Sequence, residues 1–228
     1  MKYWPRLLNL IIIFTFFFGA FGFLPESVEA ITLGLVINEI DYDQPSTDTA
    51  EFIELKNNGT GPIDLDGYWL DLVNGATEAS YRTIDLPVDT LAAGDYYVIC
   101  ANAATVANCD YDFSPDIDLI QNGSPDAVAL FYEATLMDTV SYEGDTISPY
   151  TEGSGLGLED SSGVDGSIQR CPDGSDTNQN NVDFVFAEIP TPGSENSCVS
   201  ELPEVYINEI CIDQPDTDND EYFEIVGE

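Results

Sequence analysis

Residues 33–57 read LGLVINEIDYDQPSTDTAEFIELKN, two apolar, β-branched runs on either side of a loop of Asp, Pro, Ser and Thr. Val, Ile and Phe favour the pleated, half-buried surface of a strand. Pro45 and the polar residues around it interrupt pairing and favour a turn. The stretch therefore predicts two strands, 33–37 and 51–55, joined by the loop 41–50. Asn57-Asn58-Gly59-Thr60-Gly61 follows as a turn, because Asn and Gly accept positive φ at little cost.

Outward from this pair the pattern repeats. Further strands are expected at 67–73, 81–86, 95–100, 118–120, 127–132, 136–142 and 182–187, with turn signals at Asn74-Gly75, Ala93-Gly94 and Asn122-Gly123 between several of them. No stretch of the chain after residue 30 sustains helical periodicity, and only the Ala-rich 101–107 suggests a helical turn. Many short strands spaced near ten residues predict an all-β fold, an antiparallel β-sandwich.

The opening stretch also recurs. INEIDYDQPSTDTAEFIEL at 37–55 returns as INEICIDQPDTDNDEYFEI at 207–225, with 11 of 19 positions identical and no gap. An offset of 170 residues bounds a first domain at 31–198 and a short linker at 199–203. Residues 204–228 are then expected to be the truncated start of a second domain of the same kind.

Composition narrows the function. The 228 residues hold 43 Asp and Glu against 5 Lys and Arg, with no His, for a formal net charge of −38. A chain with so few cations cannot displace the counterions of a phosphate backbone, so no direct nucleic-acid binding is expected. The absence of His removes Ser-His-Asp and Cys-His catalysis and His-containing zinc sites. With 43% hydrophobic and 11% aromatic residues the chain is nonetheless a folded protein.

Residues 1–30 have their own pattern. Lys2 and Arg6 precede the apolar Leu7–Phe18, and Ser27-Val28-Glu29-Ala30 offers small residues at a cleavage point. This is the order of a secretory signal peptide, helical in its apolar part, with an uncleaved anchor as the alternative. Cleavage after Ala30 leaves no membrane span in the mature chain and places it outside the cell or at its surface. Export favours oxidised cysteines. Pairing of Cys100 with Cys109 and of Cys171 with Cys198 is the simplest scheme, although four cysteines allow three connectivities. Cys211 has no obvious partner.

Three motifs carry a family resemblance: Val36-Ile37-Asn38-Glu39-Ile40, Glu51-Phe52-Ile53-Glu54-Leu55-Lys56-Asn57 and Ile63-Asp64-Leu65-Asp66-Gly67-Tyr68-Trp69-Leu70. With 91–99, 126–130, Pro190-Thr191-Pro192-Gly193 and Asn196, they resemble the lamin-tail domain family, in the form found in bacterial secreted proteins. The resemblance covers nearly all of 34–198 and restarts at 207–225. It implies an immunoglobulin-like β-sandwich and a non-catalytic module for binding, adhesion or tethering within a larger exported protein, its extracellular ligand or surface unknown. The alternative it leaves open is an accessory N-terminal region of an extracellular nuclease or phosphoesterase.

Among the acids, Asp41, Asp43, Asp48 and Glu51 cluster around the first loop, and the second copy keeps three of the four positions as Asp213, Asp218 and Glu221. Asp173, Asp176, Asn178, Asn180 and Asp183 form a second group. Oxygen donors on irregular loops suit calcium, the one cofactor the sequence suggests. An EF-hand is excluded, since Asn181 and Ala187 stand where its glycine and bidentate glutamate belong. Asn38, Glu39, Glu51 and Glu54, together with Gly67, are read as structural: a Glu on a strand can accept N–H groups from a neighbouring loop. No residue pair marks a catalytic site.

Overall fold

The computed structural model describes residues 34–160, 163–198, 205–211 and 222–227. The signal peptide and the linker 199–203 expected from sequence lie outside them. Among the described residues the elements follow in order: β1 (Leu35–Asp41), β2 (Phe52–Asn57), β3 (Ile63–Asp64), β4 (Tyr68–Asn74), β5 (Ala79–Asp85), β6 (Thr90–Leu91), β7 (Tyr96–Cys100), β8 (Tyr111–Asp112), β9 (Asp126–Tyr132), β10 (Thr135–Tyr142), β11 (Ser167–Arg170), α1 (Asn180–Asp183), β12 (Phe184–Ala187), β13 (Val205–Cys211) and β14 (Tyr222–Gly227).

Two sheets make an immunoglobulin-like sandwich. One is six-stranded in the order β12-β11-β1-β2-β7-β8, the other four-stranded in the order β10-β9-β4-β5. Their pairings are antiparallel, apart from a two-residue parallel contact of β7 with β8. The inner faces meet in a core that includes Ile37, Ile53, Leu55, Leu70, Leu72, Ile99, Leu130 and Ile168. Tyr42 stacks on Tyr142 inside it, with ring centroids 4.3 Å apart. The aromatic residues Phe52, Tyr68 and Tyr97 are buried. Trp69 is half-buried, stacked on Phe131 at 4.2 Å.

Gly67 earns its place in the turn before β4. Its φ is +85°, a conformation L side chains rarely adopt, and its carbonyl accepts the Glu133 N–H.

Two local expectations change. Residues 118–120 form no strand, because the Leu119 and Ile120 N–H groups go to the Glu51 carboxylate rather than to a neighbouring strand. The last expected strand is shortened to Phe184–Ala187, since Asn180–Asp183 makes one helical turn before it. The Ala-rich 101–107 makes the single turn expected of it, closed by the Thr105 and Val106 N–H groups on the Asn102 carbonyl.

The sequence repeat is also a structural repeat in its hairpin. β1 pairs with β2 with a bulge between Ile37 and Glu39, and β13 pairs with β14 with a bulge between Ile207 and Glu209, each register shifted by 170 residues. Asn38 Nδ2 donates to Glu54 Oε1 at 2.8 Å, and Asn208 Nδ2 donates to Glu224 Oε1 at 2.9 Å. The bulge explains this pairing. An extra residue in one strand re-aims the side chains around it, and Asn38 comes to lie beside Glu54 as Asn208 does beside Glu224.

Candidate functional site

The end of the six-stranded sheet around β1, β2 and β11 carries a dense array of buried polar groups. Glu39, wholly buried on β1, accepts from Ser167 Oγ at 2.6 Å, from Gln169 Nε2 at 3.0 Å and from the Thr191 N–H at 2.8 Å. Its other oxygen takes the Thr191 hydroxyl. Glu54 accepts from Asn38 and, at 2.7 Å, from the Gly193 N–H. The Pro190–Gly193 segment is thus fastened to the sheet by two carboxylates. Burial pushes both carboxyls above their ordinary range, Glu54 to about 8.

Glu51 performs the same service at the other loop. Its two oxygens accept the Leu119 and Ile120 N–H groups at 2.5 and 2.9 Å, and burial raises its pKa to about 8 against the pull of those bonds. Asp48 accepts from the Gln44 N–H and from Asn122 Nδ2. Asp41 accepts from Gln44 Nε2 and is pushed up to about 9 by burial and by neighbouring Asp160. Asp160 in turn accepts the Tyr42 and Asp43 N–H groups. Asp41 and Asp48 therefore stitch loop 41–50 together, Glu51 fastens residues 119–120 to it, and Asp43 joins through its backbone N–H.

The second group divides in two. Asp173 lies against Lys56 and Tyr96, while Asp176 and Asp183 face Arg170. Asn178 donates its backbone N–H to Asp176, and Asn180 uses its side chain to join Ser141, Glu152 and Thr139. Asp183 caps the turn before α1 through Thr177 and Gln179.

Arg170 is the residue sequence reading passed over. It is entirely buried, donates Nη2 to both oxygens of Asp138, Nη1 to Asp176, Asp183 and the Ser175 carbonyl, and Nε to the Ile37 carbonyl. Its guanidinium also lies 4.5 Å from the Phe184 ring centre. A planar fork of five donors can satisfy several carboxylates at once, which lysine cannot do. Asp138, Glu152 and Asp176 each bring one carboxylate oxygen within 4.8 Å of the others. Glu152 Oε2 is buried there with no hydrogen-bond partner among the described residues. Burial, followed by repulsion from Asp138 and Asp176, raises the Glu152 pKa to about 8. The one sequence signal that could have exposed this centre is scarcity: Arg170 is one of three cations left after residue 30.

Two disulfides close the periphery. Cys100 pairs with Cys109 and Cys171 with Cys198. Two clefts open nearby, one of about 310 Å³ lined by Asp48, Tyr81, Arg82, Asp118 and Asn122, the other of about 690 Å³ against Pro172, Val185, Phe186, Ile189 and Cys198. Among the described residues no helix is long and apolar enough to cross a membrane.

The family model for the Lamin Tail Domain matches residues 30–144, half of the chain. The chain belongs to the lamin tail domain family. In this lamin tail domain chain the match takes in strands β1 to β10, and the six-stranded sheet is completed by β11 and β12 beyond it. The family is one of non-catalytic, immunoglobulin-like domains, in keeping with the structural donors that Glu39, Glu51 and Glu54 face. No curated protein matches the chain.

Proposed function

We propose that this lamin tail domain chain is an exported, non-catalytic module that binds, adheres or tethers within a larger exported protein. The observation that carries the reading is the use of Glu39, Glu51 and Glu54. Both oxygens of each accept hydrogen bonds from the chain's own loops or strands, so the acids that the repeat singles out hold the sandwich closed. A catalytic carboxylate must instead be within reach of a substrate proton or a reacting atom. Two disulfides are compatible with an oxidising compartment.

The experiment is export of the full chain followed by three readouts on the product. Mass analysis should find a mature N-terminus at Ile31. Incubation with phosphomonoester, phosphodiester and glycoside substrates should give no turnover. A fluorescently labelled product should be retained on the exporting cells or on their isolated envelope. Turnover that co-purifies with the chain, a product left uncut before Ile31, or a mature product that cells and envelope fail to retain contradicts the reading.

A further inference from the structure

Lys56 is the one lysine after residue 30, in a chain with a net charge of −38. It extends from β2 to Asp173, in the loop after β11. The two side chains are in direct contact, only 13% and 10% exposed. Tyr96 completes the group. Its hydroxyl lies 2.8 Å from Lys56 Nζ and 2.8 Å from Asp173 Oδ2, and its ring centre is 4.4 Å from Nζ. The other carboxylate oxygen, Oδ1, accepts from Asn38 Nδ2 at 2.9 Å and from the Asn196 N–H at 3.4 Å.

These atoms have the layout of an acyl-transfer site. An amine touches a carboxyl group, a hydroxyl bridges the nucleophile and the oxygen that would leave, and two donors converge on the oxygen that would carry negative charge. We infer that Lys56 and Asp173 condense into an intramolecular amide that ties β2 to the loop after β11.

The resting pair is ionised: burial opposes the charge on Asp173, but hydrogen bonds from Lys56, Asn38 and Tyr96 hold its carboxyl below the usual range. The reaction therefore begins with a proton passing from Nζ through the Tyr96 hydroxyl to Oδ2. The neutral amine attacks Cγ, and the charge that develops on Oδ1 is met by Asn38 Nδ2 and the Asn196 N–H. A second proton leaves the nitrogen by the same hydroxyl, the Cγ–Oδ2 bond breaks, and Oδ2 departs as water. One ammonium and one carboxylate become one amide and one water, so charge and atoms balance without an oxidant or co-reactant. The near exclusion of solvent from both side chains favours the condensed product.

The test is the intact mass of the exported full chain, then tryptic mapping after reduction and unfolding. The expected chain is one water lighter than its sequence with two disulfides. Trypsin should fail to cut after Lys56 and should release a branched peptide joining 31–82 to the fragment that begins at Cys171. Lys56→Arg should restore the full mass. Tyr96→Phe keeps the amine and the carboxyl, so it should fold and be ligated about 100-fold more slowly in a pulse-labelled time course. A chain of full mass that is cut after Lys56 overturns the inference and leaves an ion pair. A water-loss species that persists in Lys56→Arg also overturns it, because Asp173-Gly174 would then have closed to a succinimide. An unchanged ligation rate in Tyr96→Phe overturns the proton relay.

Discussion

Arg170 Nη2 donates to both carboxylate oxygens of Asp138, at 3.0 and 3.2 Å, with neither side chain exposed to solvent. Asp138 in turn accepts the Ile37 N–H at 2.7 Å. The pair therefore couples β10 in one sheet to β1 and β11 in the other. A buried charge that loses its partner is far more costly than a buried pair is stabilising. Arg170→Met is expected to destabilise the domain by about 3–5 kcal/mol in equilibrium urea unfolding, since Asp138 and Asp183 are left buried without their cation. Replacing Arg170 and Asp138 together by Met and Leu should recover part of that loss.

Glu152 predicts an effect of the opposite sign. Its Oε2 is buried beside two other carboxylates with no partner among the described residues, and its pKa is raised to about 8. Glu152→Gln should raise the melting temperature at pH 9, where the wild-type carboxyl is ionised, and change it little at pH 5, where it is protonated. A calcium titration on the same two proteins addresses the ion. A rise in Tm that wild type shows and the variant lacks assigns calcium to Asp138, Glu152 and Asp176. No rise in either leaves these acids to Arg170.

The pH dependence of stability follows from the buried acids. Asp41 is raised to about 9, and Glu51 and Glu54 to about 8, chiefly by burial. A carboxyl whose folded pKa lies above its unfolded value binds more protons when folded, so the stability it contributes is present below the unfolded value and is lost as pH rises through the folded one. Calorimetry should show Tm falling between pH 5 and pH 9. Asp41→Asn, which keeps an acceptor for Gln44, should flatten the upper part of that fall.

The Cys100–Cys109 bridge closes a loop that packs on Phe52, Val98 and Val106 in a small cluster of its own. Replacing both cysteines by Ser should cost about 2–3 kcal/mol, the value expected for a short closed loop. Loss of protection in hydrogen exchange should be confined to the residues around that cluster.

Strands were legible where the sequence alternates locally. β4, β7, β9 and β10 lie within about two residues of the segments that Val, Ile, Tyr and turn residues mark out. The failures share a cause. Leu119 and Ile120 look like a strand because they are apolar, yet their N–H groups are satisfied by a carboxylate 68 and 69 residues earlier, which no local pattern reveals. Ser167–Arg170 was missed as a strand because its four buried residues are mostly polar. Each finds its partner across the fold, as Ser167 and Gln169 do at Glu39. Spacing along the chain presents the second acidic group as if one loop held it. The fold instead sends Asp173 to Lys56 and Asp176 and Asp183 to Arg170, because these cations come from β2 and β11.

The central claim is that the repeated acids hold the sandwich together. Equilibrium unfolding of Glu51→Ala, run beside the substrate and envelope-retention assays, tests it most directly. The account predicts a loss of about 1–3 kcal/mol, because two buried N–H groups are left without an acceptor, with exchange protection falling at Leu119 and Ile120. Unchanged unfolding together with a lost activity or lost retention would contradict it, and would make Glu51 a residue of function.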